Sequence, residues 1–234
     1  MFQACQPMAP SLERYIYVSV DQQQTQSDSI IEQFIEPYRD SLSSSMQTII
    51  GYAAVDLLKG KPESTLGNFV ADLCAERILE HSSIEVDFVV LNLGGLRIQS
   101  IAEGPIILSK VYELMPFDNT LVVVDLLGSE LNDLFTRISN AGGWPISQTL
   151  QLNVSGDTTV ALVNGQTVKS DQIYKVGVNN YMAGGGDQCF FLEDKKQYDT
   201  GYLMRDAIKD YISISFEKGQ KVSASLDGRL KLVK

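Results

Sequence analysis

The run Phe88-Val89-Val90-Leu91 has no polar residue to turn outward, and that is the signature of a buried strand. Leu121 to Leu127 forms a second apolar strand segment. Such strands need a core around them. A chain of 234 residues is long enough to supply one, as one large domain or two small ones.

The rest of the pattern mixes helices with strands. From Asp28 a helix is predicted, with Ile30, Ile31, Phe34, Ile35, Tyr38 and Leu42 at helical spacing and a kink or break at Pro37. Ile49 to Leu58 reads as a strand and its edge. Ser64 or Thr65 then caps a helix carrying Leu66, Val70, Leu73 and Ile78 on one face. A short helix at Leu108–Leu114 stops before Pro116. A longer one at Gly128–Ala141 puts Leu131, Leu134, Phe135 and Ile138 in register. Strands follow near 148–155, 158–163 and 173–179, then a flexible loop at Gly184-Gly185-Gly186, a final helix at Leu203–Ile212 and a closing strand at 229–233. Elements that mix without strict alternation predict an α+β fold. With no internal repeat and no change of composition, residues 28–234 read as a single compact domain. Residues 1–27 read as a leader and linker, with a lead-in strand at Tyr15–Val20 and a polar stretch at Gln22–Ser27.

Composition excludes several functions. The chain has one histidine, too few for a hydrolytic dinuclear metal centre built from several His and Asp ligands. That residue, His81, is expected to face solvent at the end of a helix, where a cation is favourable for ordinary electrostatic reasons. A net charge of −10 opposes non-specific binding to nucleic acid. It also means that any phosphate must be captured by local Arg and Lys rather than by long-range attraction. The three cysteines match no metal-ligand spacing. Cys74 and Cys189 read as buried small hydrophobes, with a disulfide between them left open. No apolar stretch reaches the ~18–20 residues of a membrane-spanning helix. Met1-Phe2-Gln3-Ala4-Cys5, followed by Gln6-Pro7, resembles the end of a bacterial lipoprotein signal. On that reading Cys5 carries a lipid anchor and the chain is extracytoplasmic, periplasmic or membrane-attached; the alternative is an unstructured tail with an incidental thiol.

No Gly-x-Ser-x-Gly, phosphate-loop or His-Glu-x-x-His motif is present. Three short segments carry what chemistry there is. In Leu91-Asn92-Leu93-Gly94-Gly95-Leu96-Arg97 a strand delivers an amide, then glycines that let a ligand approach the backbone, then a guanidinium suited to phosphate. In Met115-Pro116-Phe117-Asp118-Asn119 the proline fixes a turn that presents Phe117. Asn179-Asn180-Tyr181-Met182-Ala183-Gly184-Gly185-Gly186-Asp187 adds a second aromatic and a carboxylate. Two aromatics can sandwich a base at ~1–3 kcal/mol per stack. Taken singly, each segment reads as well as a strand-end turn, a proline turn with a core Phe, or a glycine hairpin with a capping Asp.

In their order along the chain they say more. Glu63-Ser64-Thr65-Leu66-Gly67-Asn68-Phe69-Val70-Ala71-Asp72, Asn92-Leu93-Gly94-Gly95-Leu96-Arg97, Pro116-Phe117, Leu127-Gly128-Ser129-Glu130-Leu131, Ser155-Gly156 and Asn180-Tyr181-Met182-Ala183-Gly184-Gly185-Gly186-Asp187 together resemble the C-terminal domain of 5'-nucleotidases and UDP-sugar hydrolases. The likeness runs from about Asp28 to Arg229. It implies a domain of mixed sheets packed by helices. It also implies that Phe117 and Tyr181 stack on a base and Asn92 contacts it, beside Gly94 and Gly95. Asp187 would bind the ribose hydroxyls, and Arg97 would lie on the ribose–phosphate side. The Glu63–Asn68 stretch is expected to be structural.

Some positions depart from the family pattern. Leu93 stands where a glycine is usual, and Tyr181 where Phe is common. Lys59-Gly60-Lys61-Pro62 occupies the stretch where many members carry a further substrate arginine. The resemblance implies the nucleotide-recognition half of a split phosphohydrolase of nucleotide catabolism. Its divalent metal ions would be held only by a separate metallophosphatase polypeptide, and this chain would contribute no catalytic or metal-ligating residue and hold no cofactor. The alternatives are a stand-alone nucleoside-binding module and a surface-interaction protein with a degenerate pocket.

Overall fold

A computed structural model describes residues 29–156 and 158–233, with side chains except those of residues 38–43. The leader, the lead-in strand at Tyr15–Val20, the linker at Gln22–Ser27 and Cys5 lie outside the described residues. Residues Ser44–Lys234 form one compact unit, and the residues up to Ser43 belong to another. The first helix, α1 (Ser29–Met46), contains Pro37. The expected break there does not occur, because proline removes only one backbone donor and the turns on either side stay helical.

The elements that follow are β1 (Ile49–Ala53), β2 (Leu57–Leu58), α2 (Thr65–Ser82), β3 (Phe88–Val89), β4 (Ser100–Ile101), β5 (Gly104–Ile107), α3 (Leu108–Leu114) and β6 (Thr120–Leu127). Then come α4 (Leu131–Asn140), β7 (Leu150–Ser155), β8 (Thr158–Val163), β9 (Gln166–Thr167), β10 (Ile173–Asn179), the single turn α5 (Asn180–Ala183), β11 (Gln197–Leu203), α6 (Met204–Glu217) and β12 (Leu230–Val233). The architecture is α+β with mixed sheets. One four-stranded sheet has the order β11–β6–β10–β3, with β10 parallel to β3 and the other pairs antiparallel. A second has the order β12–β7–β8–β9, with β12 parallel to β7. Two short pairs, β1–β5 and β2–β4, complete the set.

The first sheet is buried on both faces, as its apolar strands require. Along β6 the side chains alternate between two separate cores. Leu121 and Val123 enter one with α2 and α6; Val122, Val124 and Leu126 enter the other with α4 and the second sheet. The run from Phe88 divides in the same way, Val89 and Leu91 to the first core, Phe88 and Val90 to the second. Full burial of one such side chain stabilises by ~1.5–3 kcal/mol. Gly177 in β10 lets α2 settle on the sheet. A Cβ there would lie 2.7 Å from Val89 Cγ2 and 2.9 Å from Ile78 Cδ1. Cys74 lies in the first core and Cys189 in the second, both as free thiols.

Several ends differ from the sequence reading. The strand expected over 49–58 is split, with Ala54 to Asp56 turning the chain between β1 and β2. Ser64 caps α2, accepting from the Gly67 amide at 3.1 Å, and the Thr65 hydroxyl instead accepts the Leu58 amide at 2.7 Å. Gly128 stays outside α4, since a side chain there would strike the Lys169 carbonyl. The last helix runs on to Glu217. His81 is exposed and stacks on Tyr202 with ring centroids 4.2 Å apart. No described helix is long and apolar enough to cross a membrane.

Arg229 fastens the C-terminal strand to the body. It is 5% exposed. It donates to Asp72 Oδ1 at 2.8 Å, to the Ile146 carbonyl at 3.0 Å and to both Asp227 oxygens, the shortest at 2.7 Å. Hydrogen bonds from Arg229 hold the Asp227 carboxyl below the usual carboxylate range. A depressed folded value gives stability that is fully present above the unfolded-state value of ~3.9 and lost as pH falls through the lower folded one. Urea unfolding at a series of pH values should therefore show Arg229→Met destabilised relative to the parent at neutral pH, with the gap narrowing below pH ~4. A gap that stays constant down to pH ~2 would show that this pair does not set the acid limb.

Candidate nucleoside-binding site

The parallel strands β3 and β10 run side by side and end at the same edge of the sheet. Ligands of open α/β sheets gather at such carboxyl ends. The chain leaving β3 passes through Asn92 into a 3-10 turn at Leu93–Gly95, and β10 ends at Asn179 and enters α5. The antiparallel β6 begins at this same edge, so the turn preceding it, Pro116 to Asn119, arrives there too. Three segments remote in sequence thus meet because of strand direction alone.

They enclose a cavity of about 310 Å³ lined by Asn92, Gly94, Gly95, Arg97, Phe117, Asn119, Tyr181 and Asp187. All seven residues singled out in the sequence line it. Asn119 joins them, and its place directly after Pro-Phe-Asp was the only signal for it. Phe117 and Tyr181 are 41% and 48% exposed, so their rings are available to a ligand instead of being spent in the core. A more open cavity of about 490 Å³, beside Ser83 to Asp87 and Tyr198, holds none of these residues. Two of its charged groups are already engaged, Lys175 with Asp125 at 2.8 Å and the Asp87 carboxylate with the Lys175 amide at 2.7 Å.

Asn92 is buried and its amide is engaged within the protein. Its Nδ2 donates to Asp187 Oδ2 at 2.7 Å, and its Oδ1 accepts from Asn179 Nδ2 at 2.9 Å. These bonds grip Asp187 and leave Asn92, which lines the cavity, one N–H and one lone pair of its amide. Gly95 is required beside it, because a Cβ there would come within 3.1 Å of Asn92 Oδ1. Asp187 sits in the left-handed region at φ 50°, a conformation that Asp tolerates better than most residues. Its backbone is held on both sides: the amide donates to the Tyr181 hydroxyl at 3.2 Å, and the carbonyl accepts from Arg137 Nε at 2.5 Å. The glycine run before it is thus a defined turn and not the flexible loop expected.

The Phe117 turn is fastened by the start of α6. The Met204 amide donates to the Asn119 carbonyl at 2.8 Å. Arg205 donates to the Phe117 carbonyl at 3.3 Å and to Asp118 at 2.7 Å, and its guanidinium lies 4.8 Å from the Tyr112 ring centroid. Nothing in the local sequence announced Arg205, which is 87 residues from Asp118.

The cationic end of the cavity is formed by Arg97, exposed and 5.7 Å from the Phe117 ring centroid. Lys59 lies close enough that its ammonium is pushed below the usual lysine range, first by burial and then by the Arg97 and Lys61 charges. Lys59 donates to the Leu96 carbonyl at 2.5 Å and Lys61 to the Ala141 carbonyl, so neither lines the cavity as a free replacement for an arginine. The Glu63–Asn68 stretch is structural as expected, with the Asn68 amide donating to Glu63 and to the Ser225 carbonyl.

Among the described residues no three His, Cys, Asp or Glu side chains come together as a metal-binding group.

The chain is 30% identical over 232 residues to the trifunctional nucleotide phosphoesterase protein YfkN of Bacillus subtilis, covering 89% of this chain and 15% of that one. It is 26% identical over 196 residues to the 5'-nucleotidase of Vibrio cholerae, covering 79% of this chain and 34% of the enzyme. The crystal structure of a 5'-nucleotidase precursor from Thermus thermophilus superposes with a TM-score of 0.71 at 28% identity, over 88% of this chain and 43% of that one. The chain thus spans less than half the length of each of these relatives. The model of the 5'-nucleotidase C-terminal domain matches residues 49–194, a stretch that holds the whole cavity lining, and the chain belongs to that family.

Proposed function

We propose that this domain grips a nucleoside or nucleotide for a 5'-nucleotidase-type phosphohydrolase, and that a separate metallophosphatase supplies the metal ions and the attacking water. One observation carries the reading. Two exposed aromatic rings, a carboxylate and a guanidinium converge on a single cavity at one sheet edge. Phe117 and Tyr181 hold the base between them. Asp187 accepts from the ribose hydroxyls, and Arg97, with Lys59 behind it, faces the phosphate. Asn92, with one N–H and one lone pair left on its amide, contacts the base edge, and Asn119, which lines the same cavity and whose side chain makes no hydrogen bond among the described residues, stands beside it. Stacking tolerates any base, so these two amides are the groups that would bias the choice. The extracytoplasmic placement, with Cys5 as a lipid attachment point, belongs to the same reading.

Calorimetric titration tests the grip. Phe117→Ala and Tyr181→Ala should each weaken adenosine by ~1–3 kcal/mol, about 5- to 100-fold. Arg97→Ala should weaken AMP while leaving adenosine within about twofold. Equal losses for both ligands would remove Arg97 from the phosphate side.

The division of labour predicts that this chain alone, with Mg²⁺ or Mn²⁺, releases no phosphate from AMP. Mixed with a metallophosphatase domain of the same family it should stimulate release, and Phe117→Ala should cancel the stimulation. Hydrolysis by this chain alone that survives a chelator would overturn the proposal.

Expression in a bacterium with labelled palmitate should mark the parent chain and not Cys5→Ser. An unlabelled parent would remove the anchor.

A further inference from the structure

The buried amides behind the cavity form a chain of hydrogen bonds with one direction. The Met182 backbone amide donates to Asn179 Oδ1 at 2.9 Å, Asn179 Nδ2 donates to Asn92 Oδ1 at 2.9 Å, and Asn92 Nδ2 donates to Asp187 Oδ2 at 2.7 Å. An asparagine side chain can be turned either way, and its orientation is ordinarily settled only by its partners. Here the two ends leave one choice. The Met182 N–H can only donate, so the oxygen of Asn179 must face it. The amino group of Asn179 then points at Asn92, whose oxygen must meet it. The amino group of Asn92 is left for the carboxylate, which can only accept. Asn179 is fully buried, so water does not take over either of its two bonds.

We infer that Asn179, acting through Asn92, is the positioning residue that orients Asp187 for a vicinal diol, and so sets the preference of the site for an intact ribose. The inference rests on the nucleoside reading above. With Oδ2 engaged by Asn92, the carboxylate is held from behind. No described donor reaches Oδ1, which is left to accept from the ligand. The same carboxylate without the relay would rotate about its side-chain bonds and accept from water in several poses. The backbone of Asp187 is fixed independently, by Tyr181 and Arg137, so loss of the relay frees the side chain while leaving the turn in place.

Asn179→Asp is the sharpest variant because it keeps the shape and reverses the sense. One oxygen of the introduced carboxylate still accepts from Met182. The other needs a donor, so Asn92 must turn its amino group inward and present its oxygen to Asp187. Asn179→Leu breaks the relay without adding charge. Each would be titrated with adenosine, 2',3'-dideoxyadenosine and adenine, with thermal unfolding as the check on folding. The parent should prefer adenosine to the dideoxy compound by about tenfold or more, as charge-assisted hydrogen bonds warrant. Both variants should bring that ratio close to one while adenine affinity stays within about twofold. A merely structural role would weaken all three ligands together. A folded variant that keeps the parent ratio overturns the inference and leaves the nucleoside reading intact. A parent that binds none of the three overturns both. In the parent, side-chain amide exchange by NMR should show slow hydrogens on Asn92 and Asn179 before any ligand is added. Fast exchange at Asn179 would also overturn the relay.

Discussion

A sheet covered by a core on each face has nowhere to place polar chemistry except at its ends. β3, β6 and β10 send alternate apolar side chains into two separate cores. Toward the carboxyl ends of β3 and β10 the next polar side chains lie where the strands run out. Asn92 and Asn179 stand at those positions, adjacent because β3 and β10 are parallel. Each is buried, so each must find partners within the protein. They find each other, then Met182 and Asp187. The cavity therefore depends on the double burial of the sheet, since the polar groups that shape it are forced together by the lack of water behind them.

The electrostatics are local for the same reason. A chain of net charge −10 presents no general attraction to a phosphate. Arg97 stands at one end of the cavity, and the Lys59 ammonium is held below the usual lysine range first by burial and then by the Arg97 and Lys61 charges. Arg205 is kept away from this role. Its side chain is 14% exposed and joined to the largely exposed Asp118, and it serves to fix the carbonyl of Phe117. One arginine lines the cavity and another holds the Phe117 turn. Their positions along the chain do not distinguish them; their partners do.

The helices α2, α3 and α4 and the strands β6 to β8 and β10 were legible because a single local rule governs each of them, a cap, a stop or an apolar run. β11 was not legible. Gln197–Leu203 alternates weakly, contains Gly201 at φ 66° and lies at the sheet edge, where burial is partial. β4 and β5 escaped for lack of length, and β1 and β2 read as one strand over 49–58. In the site, the residues that touch the cavity were readable from their motifs. Those that hold them were not. Asn179 and Asn92 are 87 residues apart, and Arg137 and Asp187 are 50 apart. A hydrogen bond closed by the fold leaves no periodicity in the sequence. The partners of Asn92 were hidden for this reason: an amide beside glycines shows no sign in the sequence of a carboxylate and a second amide that the fold brings to it.

The three consecutive glycines show how much such a run conceals. Gly184 meets only the Asn180 carbonyl at 3.4 Å, an ordinary contact that a methyl group would tolerate. Gly185 is at φ 85°, and a Cβ there would collide with the Glu193 carboxylate. Gly186 has an ordinary φ, but a Cβ would lie 2.5 Å from the Tyr181 carbonyl and 2.6 Å from its ring. Backbone conformation and steric approach are separate demands, and freedom to move is neither of them. Close contact between Gly186 and Tyr181 brings the Asp187 amide within reach of the Tyr181 hydroxyl. The tyrosine that departs from the family's usual phenylalanine thus ties the ring of Tyr181 to the backbone of Asp187. A phenylalanine would keep the stack and release that amide to solvent, which the exposure of the turn makes inexpensive. The substitution is therefore compatible with the same site and differs in how firmly Asp187 is held.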